Sequence, residues 1–293
     1  VTLSALLSST RQSLRRSGVV YPDVEAELVL AHVLGITRAQ LYLDPDRVIA
    51  PGDEARVAEI LKGRERRYPL QYLLGEIEFM GLPLVVKEGV FIPRPETEIL
   101  VETLIERGKA LGPSLVILDL CTGSGAIAIS VAKYLEPCMV LATDISPAAV
   151  RLARENALLN RVVSRLCFAV ADGLKPISRG RIAPRARFDI VVSNPPYIPT
   201  AEIGGLQAEV RDFEPRLALD GGEDGLGFIE GVVDEIPSIL EESGIVAFEI
   251  GAAQADAASA LFKRAGLGEI EVVKDLAGRD RVIIGKRQLE AGA

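Results

Sequence analysis

The chain has 293 residues, 48% hydrophobic and 25% charged, which is enough apolar material to bury a sizeable core. That length predicts two domains at roughly 150 residues each, and no apolar run reaches the ~18 residues of a spanning helix. The net charge of −8 is uneven: residues 1–70 hold ten Lys/Arg against nine Asp/Glu, leaving 23 against 32 for the rest. An acidic main body argues against tight binding along a phosphate backbone.

The first 70 residues predict a small helical bundle. "LSALLSSTRQSLRRSG" (3–18) has helical apolar spacing and stops at Gly18, and "DVEAELVLAHVLG" (23–35) opens on Asp23 as N-cap and closes at Gly35. "TRAQLYL" is short, and "DEARVAEILKGRERR" (53–67) ends in a basic turn. The basic runs in these helices are expected to be solvated faces, able to steer an acidic or RNA-like partner. The opening stretch has no basic-then-apolar signal pattern, and a cytoplasmic protein is expected. The three cysteines form no CxxC and are expected to be reduced, buried thiols. The single histidine, His32, nearly excludes an imidazole acid, base or metal site, and no metal is expected.

Next, "GEIEFMGLPLVVKEGVFIPRPETE" (75–98) reads as a β-hairpin around Met-Gly, linking two domains. The expected division is 1–70 helical, 71–95 linker and 96–293 catalytic. From residue 96 helices and strands alternate. Strands are expected at "LVILDL" (115–120), "MVLATD" (139–144), "LCFAVAD" (166–172), "FDIVVSN" (188–194) and "IVAFEIG" (245–251). Helices are expected at 96–112, 125–135, 146–160, 228–240 and 254–266. Two last strands, "EIEVVKD" and "DRVIIGKR", are joined by four residues, so they must be antiparallel. The pattern is an α/β, doubly wound, mostly parallel seven-stranded sheet with an antiparallel last strand. "RGRIAPRAR" (179–187) reads as a basic surface loop.

"LDLCTGSGAIA" (118–128) passes from a buried strand through a glycine turn into a helix. Gly123 and Gly125 let a ligand approach the backbone at a helix N-terminus. With Ala128 they fit G-x-G-x-x-A, and Asp144 ends the next strand, where a carboxylate can accept ribose hydroxyls. The loop therefore points to an adenosine-containing cofactor without saying which. Asp119, Asp144 and Asp172 lie at the ends of three successive strands. Together they suit a cationic, hydroxyl-rich ligand, S-adenosylmethionine rather than a pyrophosphate. No residue set for a hydride partner accompanies the loop.

"SNPPY" (193–197) ends the fourth strand of this series at the expected reversal of strand order. Pre-proline restriction on Asn194 and Pro195 holds the Asn194 side-chain oxygen and the Pro195 carbonyl in a fixed relation. Two fixed acceptors suit a planar –NH2 group, with Tyr197 as a stacking wall. The lone pair of an amide nitrogen is delocalised. Hydrogen bonds that strengthen as that nitrogen becomes positive favour the transition state, and no strong base is needed.

The ordered set "PLQYLLGEIEFMGLPL", "IPRPETE", "DLCTGSGAIAI", "DISPAAVRLARENA", "SNPPYIP", "EVRDFEPRLALDGGEDGL" and "KDLAGRDR" resembles the peptide chain release factor glutamine N5-methyltransferases, the PrmC/HemK family. The resemblance covers nearly the whole chain. It implies methyl transfer from S-adenosylmethionine to the Gln of the Gly-Gly-Gln motif in release factors. It implies that Cys121, Thr122, Gly123, Ser124, Gly125, Asp144, Asp172 and Gly173 hold the cofactor, with Asn194 at its border; Asp119, read from its place at the strand end, is expected to reach the methionine ammonium directly or through water. Asn194, Pro195, Pro196 and Tyr197 would hold the substrate amide, with Phe91 beside the reacting groups. The helical bundle would grip a release factor, and a monomer without stably bound nucleic acid or membrane is expected. The family usually has Gly where Cys121 stands, so altered cofactor affinity is expected. A glutamine methyltransferase for a large-subunit ribosomal protein, a nucleic-acid amino methyltransferase, a nicotinamide oxidoreductase and a cofactor-loaded binding module remain alternatives.

Overall fold

The computed structural model describes residues 1–181, 183 and 187–288. It divides into two compact units, one formed by Val1–Glu76 with Gln207–Phe213, the other by Ile77–Leu206 with the chain from Glu214 onward.

The first unit packs helices α1 (Leu3–Arg16), α2 (Pro22–Leu34), α3 (Pro51–Glu65) and α4 (Leu70–Leu74). Their cores follow helical spacing: Leu3, Leu7 and Leu14 meet Ala26, Val29, Leu30 and Val33, with Val57 beneath. Thr2, not a residue of the helix, caps α1 through its hydroxyl. Asp23 is not the N-cap of α2. Pro22 takes the first helical position and Asp23 falls in the first turn, facing the helix dipole.

The basic runs are not simply solvated faces either. Arg64 is 2% exposed, held by Glu25 at 2.7 Å and by Glu209 at 3.0 Å. Arg67 also pairs with Glu209, at 2.6 Å. A guanidinium at that depth persists because two carboxylates and the Tyr68 carbonyl occupy its donors.

The second unit begins within a hairpin, at the second residue of β1 (Glu76–Phe79), which pairs with β2 (Leu82–Val85). Both turn residues have positive φ, Met80 at 52° and Gly81 at 69°. The strained Met80 is held from both sides: its N–H donates to Glu98 at 2.6 Å and its carbonyl accepts from the Tyr134 hydroxyl at 2.7 Å. Glu98 therefore secures the turn.

The central sheet has the order β5-β4-β3-β6-β7-β9-β8. Its strands are β3 (Leu115–Leu120), β4 (Cys138–Asp144), β5 (Leu166–Val170), β6 (Phe188–Ser193), β7 (Leu240–Glu249), β8 (Leu267–Lys274) and β9 (Asp280–Arg287). β3 to β7 run parallel, and β9 is antiparallel to both neighbours. Side chains alternate between two apolar layers. Ile117, Ile190, Val192, Ala247 and Ile284 face α5 (Thr97–Leu111), α6 (Ala126–Tyr134) and the hairpin. Leu118, Val191, Val246, Phe248 and Ile283 face the other way. Burial on both faces is why these strands read as continuous apolar runs.

Between β4 and β5 lies α7 (Pro147–Leu159), capped by Ser146, and after β5 comes the short α8 (Lys175–Ser178). α9 (Ala208–Phe213) belongs to the first unit. The single helix expected over 228–240 is broken into α10 (Gly227–Val232), a 3₁₀ turn and α11 (Ile236–Ile239). Pro237 within that stretch has no N–H to continue the ladder. α12 (Ala255–Arg264) completes the second layer. Of the stretch 179–187, residues 182 and 184–186 lie outside the described residues. Of the thiols, only Cys138 is buried: Cys121 is half-buried and Cys167 exposed, because Cys167 points outward from the edge strand β5. No helix is long and apolar enough to cross a membrane among the described residues.

Candidate functional site

The order of strands reverses between β3 and β6, and the loops leaving those two strands lie side by side. The Ser193 hydroxyl at the end of β6 donates to the Leu120 carbonyl at the end of β3 at 2.7 Å. From there the chain turns sharply through Cys121 (φ 58°), Gly123 (φ 57°) and Gly125 (φ 85°). Each bend is tied down: the Thr122 N–H donates to Thr143 at 2.9 Å and the Gly125 N–H to Thr122 at 2.8 Å.

The two glycines serve different ends. A Cβ on Gly125 would lie 2.9 Å from Ile129 and 3.0 Å from Ala153, so this glycine lets α6 pack against α7. A Cβ on Gly123 would meet only the Cys121 carbonyl, 4.0 Å away, and otherwise project into open space. That space is a cradle in which a ligand can meet bare backbone.

Asp144 accepts from the Gly123 N–H at 2.9 Å through Oδ2 and from the Ser146 N–H at 2.8 Å through Oδ1. The Ile145 N–H is also directed at this carboxylate, which keeps acceptor capacity for a hydroxyl donor. Burial raises its carboxyl above the ordinary range. Asp119 is fully buried. Its Oδ2 accepts from the Thr122 hydroxyl at 2.6 Å, whereas Oδ1 has no hydrogen-bond partner. Loss of solvation pushes this carboxyl up to about 7. Asp172 stands two residues beyond the end of β5 and is exposed, and Gly173 follows with φ 57°. Burial, then Asp144, Asp119 and Asp172 together, hold the Cys121 thiol protonated. The three acids therefore converge on one loop. An orphaned buried carboxylate oxygen, an open glycine cradle and free carboxylate lone pairs suit the ammonium, backbone and ribose contacts that S-adenosylmethionine needs.

Cys121 sits where a side chain is strained, since a left-handed residue costs about 1–2 kcal/mol. Glycine would remove that cost but add about 0.5–1 kcal/mol of unfolded-state freedom. Cys121→Gly is therefore expected to raise stability by about 0.5 kcal/mol, seen as a small rise in melting temperature. A fall would mean that the thiol's packing outweighs the strain.

Asn194 directly follows β6. Its Nδ2 donates to the Thr97 hydroxyl at 3.0 Å, and Thr97 donates to Glu249 Oε2 at 2.7 Å. The Tyr197 hydroxyl donates to the other oxygen, Oε1, at 3.0 Å. The Asn194 oxygen and the Pro195 carbonyl have no partner among the described residues. Burial pushes the Tyr197 hydroxyl far above the ordinary phenol range and also raises Glu249.

The backbone that follows is gripped as closely. Gln254 donates from Nε2 to the Tyr197 carbonyl at 2.9 Å and to Asp224 at 3.1 Å. A Cβ on Gly225 would lie 2.2 Å from the Tyr197 oxygen, and one on Gly221 would lie 2.8 Å from that of Pro196.

Phe91 is half-buried, with the Arg94 guanidinium 4.6 Å from its ring centroid. Arg94 pairs with buried Glu214, whose other oxygen accepts from the Ile92 N–H at 3.2 Å. Thr97, Glu249, Gln254 and Asn156 escaped the sequence reading. Thr97 sits within the quoted "IPRPETE" and Asn156 within "RENA", but nothing local says what either touches.

Fold and site define a class I S-adenosylmethionine-dependent methyltransferase. The family model for the PrmC N-terminal domain matches residues 5–75, and that for the methyltransferase small domain matches residues 83–207. The chain is 42% identical over 293 residues to the release factor glutamine methyltransferase of Moorella thermoacetica, covering 99% of this chain and 100% of that one. It is 38% identical to the one from Geobacter sulfurreducens, covering 97% and 96%. A solved methyltransferase from Pyrococcus furiosus shares the fold at a TM-score of 0.53 and 16% identity, covering 82% of this chain and all of that one. The chain belongs to the release factor glutamine methyltransferase family.

Proposed function

We propose that this enzyme transfers a methyl group from S-adenosylmethionine to the side-chain amide nitrogen of the Gln in the Gly-Gly-Gln motif of release factors, and that NPPY carries the chemistry. The observation behind this reading is that Asn194 spends its –NH2 on Thr97 and keeps its oxygen for a donor. That oxygen and the Pro195 carbonyl accept the two N–H bonds of the glutamine amide, and the Tyr197 ring backs the amide plane. These acceptors strengthen as the nitrogen gains positive character, so they favour the transition state over the bound substrate.

The bound cofactor supplies an electrophilic methyl on a sulfonium. Toward it, Thr122 to Gly125 offer backbone, Asp144 receives ribose hydroxyls, Asp119 compensates the ammonium, and Asp172 with Gly173 border the adenine. Cys121, protonated, only shapes the pocket. Phe91 closes the substrate side, its ring held by Arg94. The helical unit engages the body of the release factor, and the enzyme works as a cytoplasmic monomer without stably bound nucleic acid.

The test is methyl transfer from labelled cofactor to a purified release factor, with the glutamine intact or replaced. Label on the intact protein alone is expected. Equal label on both would remove that glutamine as the target, and label only on a ribosomal protein would move the substrate.

A further inference from the structure

We propose that Glu249 and Thr97 are positioning residues that decide which end of the Asn194 amide faces the reacting nitrogen. This rests on the reading that Asn194 accepts a hydrogen bond from the substrate amide, and it explains how that side chain is kept the right way round.

An asparagine amide is nearly symmetric in shape, and its two orientations are told apart by hydrogen bonding alone. Here the direction is set two bonds away. Glu249, the last residue of β7, is fully buried, and each of its oxygens is occupied by a hydroxyl. An ionised carboxylate can only accept, so Thr97 and Tyr197 must both donate to it. A hydroxyl has one proton. Having given it to Glu249, Thr97 presents only lone pairs to Asn194, 3.0 Å away. The end of the amide that meets Thr97 must then be the –NH2, and the oxygen must face outward.

The reverse orientation would bring two acceptors together at hydrogen-bond distance with no proton between them. The same carboxylate anchors the Tyr197 hydroxyl and so the plane of its ring. One buried charge therefore orients both the acceptor and the wall of the substrate site.

Burial raises the Glu249 carboxyl above its ordinary value; the Thr97 and Tyr197 hydroxyls and the charge of Arg281 on β9 offset that in part, and Glu96 adds to it. Arg281 in turn pairs with Asp275 at 3.2 Å. When Glu249 takes up a proton it becomes a donor. Thr97 is then free to turn its own proton toward Asn194, and the direction of the chain is no longer imposed. Turnover should therefore decline on the acid side at a pH above the ordinary carboxylate range, with cofactor binding less affected.

The experiment compares Glu249→Gln, Thr97→Val and Thr97→Ser in the full chain, with release factor as substrate and labelled cofactor. Gln keeps the shape of Glu249 but can donate, and Val keeps the shape of Thr97 without a hydroxyl. For both, kcat is expected to fall by up to about 10²-fold, the cost of a misplaced reacting group. The KM for release factor and the Kd for cofactor should stay within about threefold by the same reasoning, because no residue that contacts either ligand is removed. Thr97→Ser should restore most of the turnover. In Glu249→Gln the acid limb of the pH profile should disappear.

Wild-type kcat in both Val and Gln variants, with Asn194→Ala slow, would overturn the positioning role and leave Asn194 as acceptor. Wild-type turnover in Asn194→Ala as well would overturn the acceptor role beneath it. Equal losses of kcat, cofactor affinity and melting temperature in Glu249→Gln and Thr97→Val, unrepaired by Thr97→Ser, would reduce the pair to packing and overturn the proposal.

Discussion

Asn194→Ala is expected to slow methyl transfer by about 10²–10³-fold, the range seen when one preorganised hydrogen-bonding group is removed from a transition state. Cofactor affinity should change only a few-fold. The asymmetry follows from where the side chain spends its bonds. Its –NH2 is committed to Thr97, and only its oxygen is available to a substrate. An amide nitrogen donates weakly to that oxygen before reaction and strongly once it carries positive charge. The loss therefore falls on kcat more than on binding. The proposed cofactor loop does not depend on this side chain, since Thr122, Gly123 and Gly125 are fixed by Thr143, Asp144 and one another. Turnover by radiolabel transfer and cofactor binding by calorimetry separate the two effects. A variant that keeps turnover within about fivefold would rule out the acceptor role.

Asn156→Leu is expected to cost about 3 kcal/mol and to lower the melting temperature by roughly 6–12 °C. Asn156 is fully buried on α7, and its short side chain makes three bonds. Its oxygen accepts from the Val85 N–H at 2.7 Å, and its –NH2 donates to the Val85 and Ser124 carbonyls, both at 2.9 Å. One residue thus clips the second hairpin strand to the glycine loop after β3, the proposed cofactor loop. One turn on, Asn160 repeats the clip on the Pro83 carbonyl at 2.8 Å. Leu fills a similar volume but leaves the Val85 and Ser124 groups unpaired, and water can reach only some of them. Because Ser124 lies in the loop itself, cofactor affinity should weaken along with stability. Thermal melts with and without cofactor read both effects. A melting temperature within 2 °C of wild type would mean that the hairpin is held by its apolar face alone.

The parts of the fold that were legible are those governed by local rules. Continuous apolar runs marked β3, β4, β6 and β7 because both faces of the sheet are covered. Four residues between the last two strands left no room for a crossover. "MG" marked the hairpin turn. That a methionine can hold φ 52° there could not be read, since it depends on Glu98 and Tyr134 reaching its backbone from two different helices. The helix expected across 228–240 was a misreading of a local signal that was present, because Pro237 was available as a breaker. Arg64 is different in kind. Nothing around it in the sequence distinguishes it from its exposed neighbours Arg66 and Glu65, and its burial depends on Glu209, 145 residues away.

The sequence alone determined which atoms this protein brings to the proposed site: bare backbone at Gly123, a carboxylate at Asp144, and an amide locked before two prolines. Those choices are encoded by φ/ψ limits and strand ends, which act within a few residues. Only the tertiary structure decided how the atoms are aimed. The amide of Asn194 takes its direction from Thr97, 97 residues before it, and Thr97 from Glu249, 152 residues from Thr97 in the chain. The direction of a hydrogen bond is a property of the pair, and here the folded sheet brings the partners together.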